Sequence, residues 1–387
     1  MKIALDYNAA LRQPAGIGRY TRELVRAFLR LNTGAELVLF YAARDLPPDH
    51  PGLHALRELQ AEFAQVRAAP IPLGERWLTI VWQRARLPLP VERWTGPVDL
   101  VHAPDFVLPP VRRAPTLLTV HDLTFRIHPE TAHANLRRYL DRAVPRSLRR
   151  ATHVVVDSES SRRDLERLMQ VPPAKVSVLY PGVGQHFRRV TAEDKLAAVR
   201  HKYELPEQFL FFIGTLEPRK NLERLMQAFE RVRSTQHVPP FELVLGGKPG
   251  WLSAPILERA RHTPGVRLLG PIAEDDLPAL YTLASGCVYP SLYEGFGFPP
   301  LEALGCGTPA LVANTSSLPE VVGDLGILVD PMDITAIAHG IERLLTEQTL
   351  WMEAATRGPS QAAKFTWERA AEQLWHIYQT IGQTTTP

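Results

Sequence analysis

Residues 291–309 have the sequence SLYEGFGFPPLEALGCGTP, which brings glutamates, glycines and prolines together in one short stretch. Two prolines in it, Pro299 and Pro300, open a short apolar segment. Proline is favoured in the first turn of a helix, where its missing N–H costs nothing. The pattern therefore predicts a helix at this point with Glu302 in its first turn, preceded by a loop that carries Glu294.

A tight glycine turn, Gly295 to Phe298, joins the predicted loop to the predicted helix. Glycines let a backbone come close to a ligand, and the free N–H groups at a helix start suit a phosphate. Glu294 and Glu302 would repel a phosphate, so we expect both to face sugar hydroxyls, from which a carboxylate accepts hydrogen bonds. The stretch therefore predicts a site for a sugar joined to a diphosphate.

The full string, Glu-Gly-Phe-Gly-Phe-Pro-x-Leu-Glu-Ala followed by Gly-x-Pro, resembles the signature of the retaining glycosyltransferases of family four, which have the GT-B fold. The resemblance implies that Glu302 accepts from the ribose hydroxyls of a nucleotide-diphosphate sugar. It implies that Glu294 accepts from a hydroxyl of the transferred sugar and is catalytic. The donor-binding residues implied in this stretch are Glu294, Gly295, Phe296, Gly297, Phe298, Leu301 and Glu302.

A second string, GTLEPRKN at residues 214–221, follows a predicted strand and precedes an amphipathic helix. Arg219 and Lys220 would oppose the dipole of that helix as solvated charges, and a diphosphate would remove this cost. The family has an Arg and a Lys in a similar string. The resemblance therefore implies that both are catalytic, because they stabilise the leaving diphosphate, and that Gly214 contacts the donor.

A third string, Val120-His121-Asp122, ends a strand predicted over Thr116–Asp122. In open α/β sheets, ligands sit beyond the carboxyl ends of the strands, which favours a function for His121 over simple capping of the strand end. The family carries a His in a similar string. The resemblance implies that His121 is catalytic and orients the sugar or the attacking hydroxyl.

Three weaker features concern the donor. Gly16, in a turn that opens a helix, is a candidate phosphate or sugar contact, although a plain structural turn has the same pattern. Leu269 lies in a string resembling the place where the family holds its nucleotide base. Ser316 and Ser317 could donate to phosphate, but capping of the next helix is the favoured interpretation.

Alternating strands and helices in both halves predict two doubly wound, Rossmann-like α/β domains facing a cleft. A chain of 387 residues is long enough for two domains. We place an acceptor-binding domain at residues 1–188 and a nucleotide-sugar-binding domain at 189–365. The resemblance implies that the last segment, 366–387, is a helix that crosses back to the first domain.

Charge is divided unevenly between the two halves. Residues 1–190 carry 28 Lys+Arg and 18 Asp+Glu, whereas residues 191–387 carry 16 and 23. A basic first half suggests an anionic partner, such as a lipid-linked phosphate sugar at an anionic membrane surface, although a solvated charged face explains the same counts. We find no nucleic-acid recognition motif.

The segment 70–97 interleaves tryptophans with arginines. A helical excursion packed on the first domain explains this pattern. The alternative is an acceptor or membrane-surface face, because Trp and Arg together suit an interface. The residues concerned are Trp77, Trp82, Trp94, Arg76, Arg84, Arg86 and Arg93.

Composition excludes several classes of protein. Two cysteines, Cys287 and Cys306, give no disulfide framework, and no apolar run is long enough to span a membrane. The first residues favour a strand over a signal peptide, because Asp6 interrupts them. We therefore expect a cytoplasmic protein. No Asp-x-Asp occurs, so we expect neither a metal clamp nor a cofactor.

Taken together, the strings imply a metal-independent retaining hexosyltransferase. It would move mannose or glucose from a donor such as GDP-mannose or UDP-glucose to a sugar or lipid-linked acceptor, in cell-envelope polysaccharide or glycolipid synthesis. The family implies attack by the acceptor on the same face of the sugar. Two alternatives remain open: a phosphorylase of the same fold that uses sugar phosphate, and a non-catalytic sugar-binding protein.

Overall fold

The computed structural model describes residues 1–235 and 238–383. They divide into two compact units. The first unit comprises residues 1–123, 138–182 and those from 367 onward, and the second comprises residues 124–137 and 183–366. The division proposed from the sequence did not include the grouping of residues 124–137 with the second unit.

The first unit contains a parallel sheet of strands with short apolar sequences, as expected where helices cover both faces. Its strands are β1 (Lys2–Asp6), β2 (Glu36–Ala42), β3 (Val66–Ile71), β4 (Leu100–Ala103), β5 (Thr116–Thr119), β6 (His153–Val156) and β7 (Val176–Val178). The order β3-β2-β1-β4-β5-β6-β7 runs outward from β1 in both directions, which is a doubly wound topology. The edge strand β3 contains Pro70, whose missing N–H an edge position tolerates.

The second unit contains a parallel sheet of the same kind. Its strands are β8 (Phe209–Ile213), β9 (Glu242–Gly246), β10 (Val266–Gly270), β11 (Gly286–Tyr289), β12 (Ala310–Ala313) and β13 (Gly326–Val329). The order β10-β9-β8-β11-β12-β13 again runs outward from the first strand of the sheet. The topological switch point therefore lies between β8 and β11, where a ligand is expected beyond the carboxyl ends.

Helices connect the strands in both units. The α-helices are α1 (Asn8–Arg12), α2 (Ile17–Arg30), α3 (Pro51–Glu62), α4 (Glu75–Leu78), α5 (Glu92–Thr95), α6 (Thr124–Ile127), α7 (Ala134–Arg150), α8 (Glu159–Met169), α9 (Glu193–Lys202), α10 (Leu222–Arg233), α11 (Ala254–His262), α12 (Leu277–Leu283), α13 (Phe298–Gly305), α14 (Leu318–Val322), α15 (Ile334–Thr346), α16 (Gln348–Ala362) and α17 (Trp367–Gln383). Short 3₁₀ turns and a π-helix, Thr79–Arg84, complete the regular structure. None of these helices, within the described residues, is both long and apolar enough to cross a bilayer.

The C-terminal helix α17 packs in the first unit. The ring of Phe28 on α2 lies 5.9 Å from that of Trp375 and 5.5 Å from that of Tyr378. The hydroxyl of Tyr378 also contacts Nδ1 of His102 on β4 at 2.7 Å. The expectation that the last helix crosses back to the first domain is therefore confirmed.

The tryptophan–arginine segment has two different sides. Leu78, Trp82 and Val91 belong to the hydrophobic core under β2, and the Trp82 indole donates to the Leu89 carbonyl at 3.0 Å. The interpretation as a helical excursion packed on the domain is confirmed for this side. On the other side Trp77 is 57% exposed, so the interfacial hypothesis concerns that face alone.

Candidate active site

Two loops meet beyond β8 and β11, which are neighbours in the second sheet. The loop after β8 carries Arg219 and Lys220, and the loop after β11 carries Glu294. The amide of Leu292 donates to the carbonyl of Arg219 at 2.9 Å and joins the two loops directly. The two strings, more than seventy residues apart in sequence, therefore form one site at the switch point.

The Glu294 carboxylate is held between two cations. Its Oε2 lies 2.7 Å from Nη1 of Arg219, and its Oε1 lies 2.6 Å from Nζ of Lys220. Burial alone would raise the pKa of Glu294, but the two cations outweigh burial and lower it to about 2. Glu294 is therefore an ionised hydrogen-bond acceptor at every physiological pH.

Lys220 is buried under the loop, with only 5% of its surface exposed. Its ammonium donates to the hydroxyl of Tyr289 at 2.6 Å and lies 4.8 Å from the centroid of that ring. The Tyr289 ring stacks in turn on Phe212 of β8. Burial and Arg219 lower the pKa of Lys220, against the effect of Glu294. The aromatic contacts fix the ammonium at one point of the site.

Arg219 makes more contacts than Lys220 and is less buried. Its Nη1 also donates to the Tyr293 carbonyl at 2.7 Å, while its Nε and Nη2 donate to Oε1 of Glu217 at 3.0 and 2.8 Å. The cluster thus combines two cations, Arg219 and Lys220, with two carboxylates, Glu217 and Glu294. The Glu294 carboxylate contacts both cations at once, and Arg and Lys side chains are also the usual ligands of phosphate oxygens.

Serine side chains from the next loop fix the glycine turn. The Glu294 amide donates to Oγ of Ser316 at 3.0 Å, and the Ser317 hydroxyl donates to the carbonyls of Glu294 and Phe296. Ser317 stands at the N-cap position of α14 but makes no side-chain cap. The favoured interpretation of these serines as helix caps is therefore wrong, because their hydroxyls bond to the facing loop.

Gly297 is required for the turn into α13. Its φ is 120°, and a Cβ atom there would lie 2.8 Å from Cδ2 of Leu318. The helix begins at Phe298, with both prolines in its first turn as predicted. Because it begins there, Glu302 is its fifth residue, so the prediction that Glu302 lies in the first turn is wrong.

Glu302 faces the interior of the second unit and is only 2% exposed. Its Oε2 accepts from the hydroxyl of Tyr281, on α12, at 3.0 Å. This contact holds one carboxylate oxygen in a fixed position on the helix. Glu294 and Glu302 therefore differ in their partners: the first is paired with cations and the second with a phenol.

His121 lies in the first unit, two residues beyond the end of β5. Its Nδ1 donates to Oδ2 of Asp157 at 2.7 Å and its Nε2 donates to the Pro104 carbonyl at 2.8 Å. Both ring nitrogens face acceptors, so the ring is an imidazolium. Burial alone would lower its pKa, but Asp157 outweighs burial and raises it to about 9.

The chain is similar to known proteins over nearly its whole length. Residues 14–185 match the family model "Glycosyltransferase Family 4", and residues 197–365 match "Glycosyl transferases group 1". The O-antigen chain mannosyltransferase B of Escherichia coli is 33% identical over 95% of this chain and 96% of its own length. The chain belongs to glycosyltransferase family 4. It is a bacterial-type glycosyltransferase with the GT-B fold, as the resemblance implied.

Other relatives of this glycosyltransferase differ in coverage. The D-inositol 3-phosphate glycosyltransferase of Salinispora tropica is 28% identical over 96% of the chain and 83% of its own length. Among solved structures, a sucrose-phosphate synthase from Thermosynechococcus elongatus superimposes with a TM-score of 0.74 at 20% identity, covering 100% of both chains. HepE from Anabaena, in complex with UDP and glucose, superimposes with a TM-score of 0.73 at 19% identity, covering 98% of this chain and 100% of its own. These structures establish the fold.

The structure of the glycosyltransferase gathers most of the predicted donor residues in the second unit. Gly214 begins the loop of residues 214–221 that carries Arg219 and Lys220, here called the cation loop. The carbonyl oxygen of Gly214 leaves no room for a side chain at Gly247, because a Cβ atom on Gly247 would lie 1.8 Å from that oxygen. Leu269 lies in β10, at the edge of the same sheet. Gly16 lies in the first unit as the N-cap of α2, with a φ of 58° and open space where a Cβ atom would stand.

Sequence reasoning missed three residues of these sites. Asp157 directly follows β6 and could have been found by its place after a buried strand, in the same way as His121. Glu217 lies inside the quoted string but received no role. Asn221 adopts a left-handed conformation and donates to the carbonyls of Pro290 and Pro331, which fixes the cation loop.

Residues 124–137 were not predicted to lie with the donor loops. The indole of Trp251 donates to the Thr131 carbonyl at 2.6 Å, and the ring of His128 lies 6.4 Å from that of Tyr293. Tyr293 precedes Glu294 directly. This segment therefore contacts both the loop after β9 and the loop after β11.

Proposed function

We propose that this glycosyltransferase transfers mannose from a nucleoside-diphosphate mannose, GDP-mannose first, to an acceptor hydroxyl. The observation that carries the proposal is the Glu294 carboxylate held by Arg219 and Lys220 at 2.7 and 2.6 Å. This arrangement supports a site in which two cations neutralise the diphosphate of the donor, next to a carboxylate that accepts hydrogen bonds from the sugar. The mannosyltransferase relative, at 33% identity over nearly the whole chain, supports mannose over glucose as the sugar.

In this proposal the two cations stabilise the charge that develops on the leaving diphosphate. Glu294 accepts from a hydroxyl of the mannose, because its low pKa keeps it ionised beside the cations. Glu302 accepts from the ribose. We propose retention of the anomeric configuration, with attack on the same face as the leaving group, on the strength of the family membership.

His121 has a supporting role in the proposal. Its ring nitrogens are engaged by Asp157 and Pro104, so it acts as a fixed buried cation and not as a base. A cation beyond the end of β5 stabilises an oxygen-rich ligand through its field. Direct hydrogen bonding to the sugar would require the Pro104 contact to open.

Metal independence is also proposed, because Arg219 and Lys220 supply the two positive charges that a divalent ion would bring to a diphosphate. We expect transfer to persist in EDTA at the rate measured without it. Loss of activity in EDTA, with recovery on addition of magnesium or manganese, would contradict this proposal.

For the acceptor we propose a sugar hydroxyl of a cell-envelope polysaccharide or a lipid-linked precursor, met in the cytoplasm at the inner face of the plasma membrane. The exposed side of the tryptophan–arginine segment supports the membrane contact. Trp77 and Leu87 are exposed there beside Arg76, Arg84 and Arg86. Aromatic and basic side chains together suit an anionic bilayer surface.

Donor choice tests the proposal. Purified protein is incubated with GDP-mannose, UDP-glucose or mannose 1-phosphate, and release of nucleotide or phosphate is followed together with product formation. We expect GDP release from GDP-mannose and an axial product linkage by NMR. Turnover of mannose 1-phosphate would favour the phosphorylase alternative, and binding of donor without turnover with any acceptor would favour a sugar-binding protein.

A further inference from the structure

Glu217 lies immediately before the 3₁₀ turn that carries the two cations. It is 1% exposed, and no step of the proposed reaction uses it. Its Oε1 accepts two hydrogen bonds from Arg219, from Nε and from Nη2. Glu217 thus binds one edge of the guanidinium.

The backbone around Glu217 is fixed on both sides. The Leu216 amide donates to the Lys248 carbonyl at 2.9 Å, and the Gly250 amide donates back to the Leu216 carbonyl at 2.9 Å. The carbonyl of Glu217 accepts from the Lys220 amide at 3.0 Å. The carboxylate is therefore attached to a rigid support, unlike a charge on a free loop.

Arg219 has two faces that meet different groups. The Nε and Nη2 edge meets Glu217, whereas Nη1 meets the Tyr293 carbonyl and Oε2 of Glu294. An arginine held along one edge keeps the direction of its other edge, because the guanidinium is planar. The contact with Glu217 therefore sets where Nη1 points.

The second oxygen of Glu217 supports a role beyond packing. Oε2 is buried and has no hydrogen-bond partner among the described residues. A buried carboxylate oxygen without a donor costs stability, and burial raises the pKa of this group against the effects of Arg219 and Lys220. A role in holding Arg219 would explain why the buried Glu217 carboxylate is present despite this cost.

We propose that Glu217 is a positioning residue for the donor diphosphate. It holds Arg219 by the Nε and Nη2 edge, so that Nη1 stays directed at the site of the diphosphate when that group competes with Glu294 for the cations. This inference rests on the proposed function, in which Arg219 contacts the diphosphate. Glu217 itself touches neither the sugar nor the nucleotide.

The test is a double-mutant cycle of Glu217→Ala with Arg219→Ala, with Glu217→Gln as a variant that keeps the shape. Affinity for GDP and UDP is measured by calorimetry. The values of kcat and KM are measured in transfer assays with the nucleotide sugar. The matched control is Glu242→Ala: Glu242 also binds an arginine Nε, that of Arg267, but lies at the amino end of β9. Melting temperatures are measured for every variant.

We expect Glu217→Ala to lower kcat/KM about tenfold to a hundredfold, since a small displacement of a charged group has effects of that size. Glu217→Gln should lie between Glu217→Ala and the unchanged protein, and Glu242→Ala should match the unchanged protein. In the Arg219→Ala background, Glu217→Ala should add nothing further.

Full additivity of the two substitutions would overturn the inference, as would equal behaviour of Glu217→Ala and Glu242→Ala. If Glu217→Ala does not fold, Glu217→Gln with normal kinetics and normal GDP affinity has the same meaning. Unchanged GDP and UDP affinity and unchanged turnover in Arg219→Ala would overturn the donor site itself and this inference with it.

Discussion

The two units differ in how charged groups are arranged at the carboxyl ends of their strands. In the second unit, Arg219 and Lys220 come from one loop and are balanced by Glu217 and Glu294. Most of this cluster comes from a single short string. The two cations and Glu217 are therefore visible in one string of the sequence, and only the approach of Glu294 requires the fold.

In the first unit, the charged groups come from four neighbouring strands. Asp6 ends β1, Asp105 follows β4, His121 follows β5 and Asp157 follows β6. Burial raises the pKa of Asp6 to about 6, and it also raises the pKa of Asp105. The first half of the chain is basic overall, yet these strand ends carry three carboxyl groups and one cation.

The difference teaches that the charge of a half-chain does not give the charge of its site. Most arginines of the first half are exposed, as Arg138, Arg142 and Arg149 of α7 are, while Ala143 and Leu148 of that helix are buried. The excess of positive charge therefore lies mainly on the exposed surface and not at the strand ends. Under the proposed function, carboxyl groups at these strand ends would accept hydrogen bonds from neutral hydroxyls of the acceptor.

The largest effect is expected when the two cations at the strand ends of the second unit are replaced. We expect Arg219→Ala and Lys220→Ala each to lower turnover by about a hundredfold or more, as for loss of a group that stabilises developing charge. The measurement is initial transfer rate at saturating donor, with Glu242→Ala as the control. Near-normal rates in both variants would mean that the diphosphate does not lie at this loop.

A second test concerns the buried cation of the first unit. Since the pKa of His121 is raised from 6.5 to about 9, its pairing with Asp157 stabilises the fold fully below pH 6.5. That contribution, on the order of 3 kcal/mol, is lost as the pH rises through about 9. We expect the melting temperature of Asp157→Asn to be lower than that of the unchanged protein at pH 6.5, and the difference to shrink by pH 9.5.

The control for this pH dependence is Asp45→Asn, because Asp45 pairs with Arg12, which stays charged over the whole range. Its effect on the melting temperature should be the same at pH 6.5 and 9.5. A pH-independent difference for Asp157→Asn would mean that His121 does not change its charge in this interval.

How far the sequence predicts each site follows from the same contrast. The GT-B architecture, the helix after the two prolines and the loop position of Glu294 were predicted correctly, because they depend on local turn chemistry and on contiguous strings. The partners of His121 and the bonding of Ser317 were not predicted. They lie on other strands or loops, and only the register of the sheet brings them together.

The helical boundaries show the limit of local rules on a smaller scale. The helix begins one residue earlier than the prolines indicated, because Phe298 already adopts helical geometry, and Glu302 is therefore its fifth residue and lies beyond the first turn. Residues 124–137 were assigned to the first domain from their place in the chain, whereas the Trp251 indole holds Thr131 in the second unit. No pattern within the segment signals that contact.

A third test separates the two glutamates of the second unit. We expect Glu302→Ala to weaken binding of GDP by roughly 1.5–3 kcal/mol, for a lost hydrogen bond to a charged group. Glu294→Ala should impair transfer but keep or improve GDP affinity, because it frees two cations from their internal anion. Calorimetry with the bare nucleotide decides, and equal losses of affinity in both variants would contradict the division of roles.

The smallest expected effect is on membrane binding by the exposed basic surface. This test asks whether the surface arginines, as distinct from the strand ends, bind an anionic bilayer. Each basic residue near an anionic bilayer contributes about 1 kcal/mol to binding, and that attraction falls within a Debye length as salt rises. We expect the protein to co-sediment with anionic vesicles at low salt, less at high salt, and little with neutral vesicles.

The double variant Arg84→Gln/Arg86→Gln, on the exposed side of the tryptophan–arginine segment, should weaken that binding by about 2 kcal/mol at low salt. Arg162→Gln is the control, because Arg162 is paired with Glu159 and Glu166 on α8 and adds little net charge to its surface. Transfer to a soluble sugar acceptor should be unchanged in the double variant, because neither substitution changes a residue at the strand ends. Absence of binding to anionic vesicles even at low salt, together with efficient transfer to a soluble neutral sugar, would leave the exposed arginines as a solvated surface.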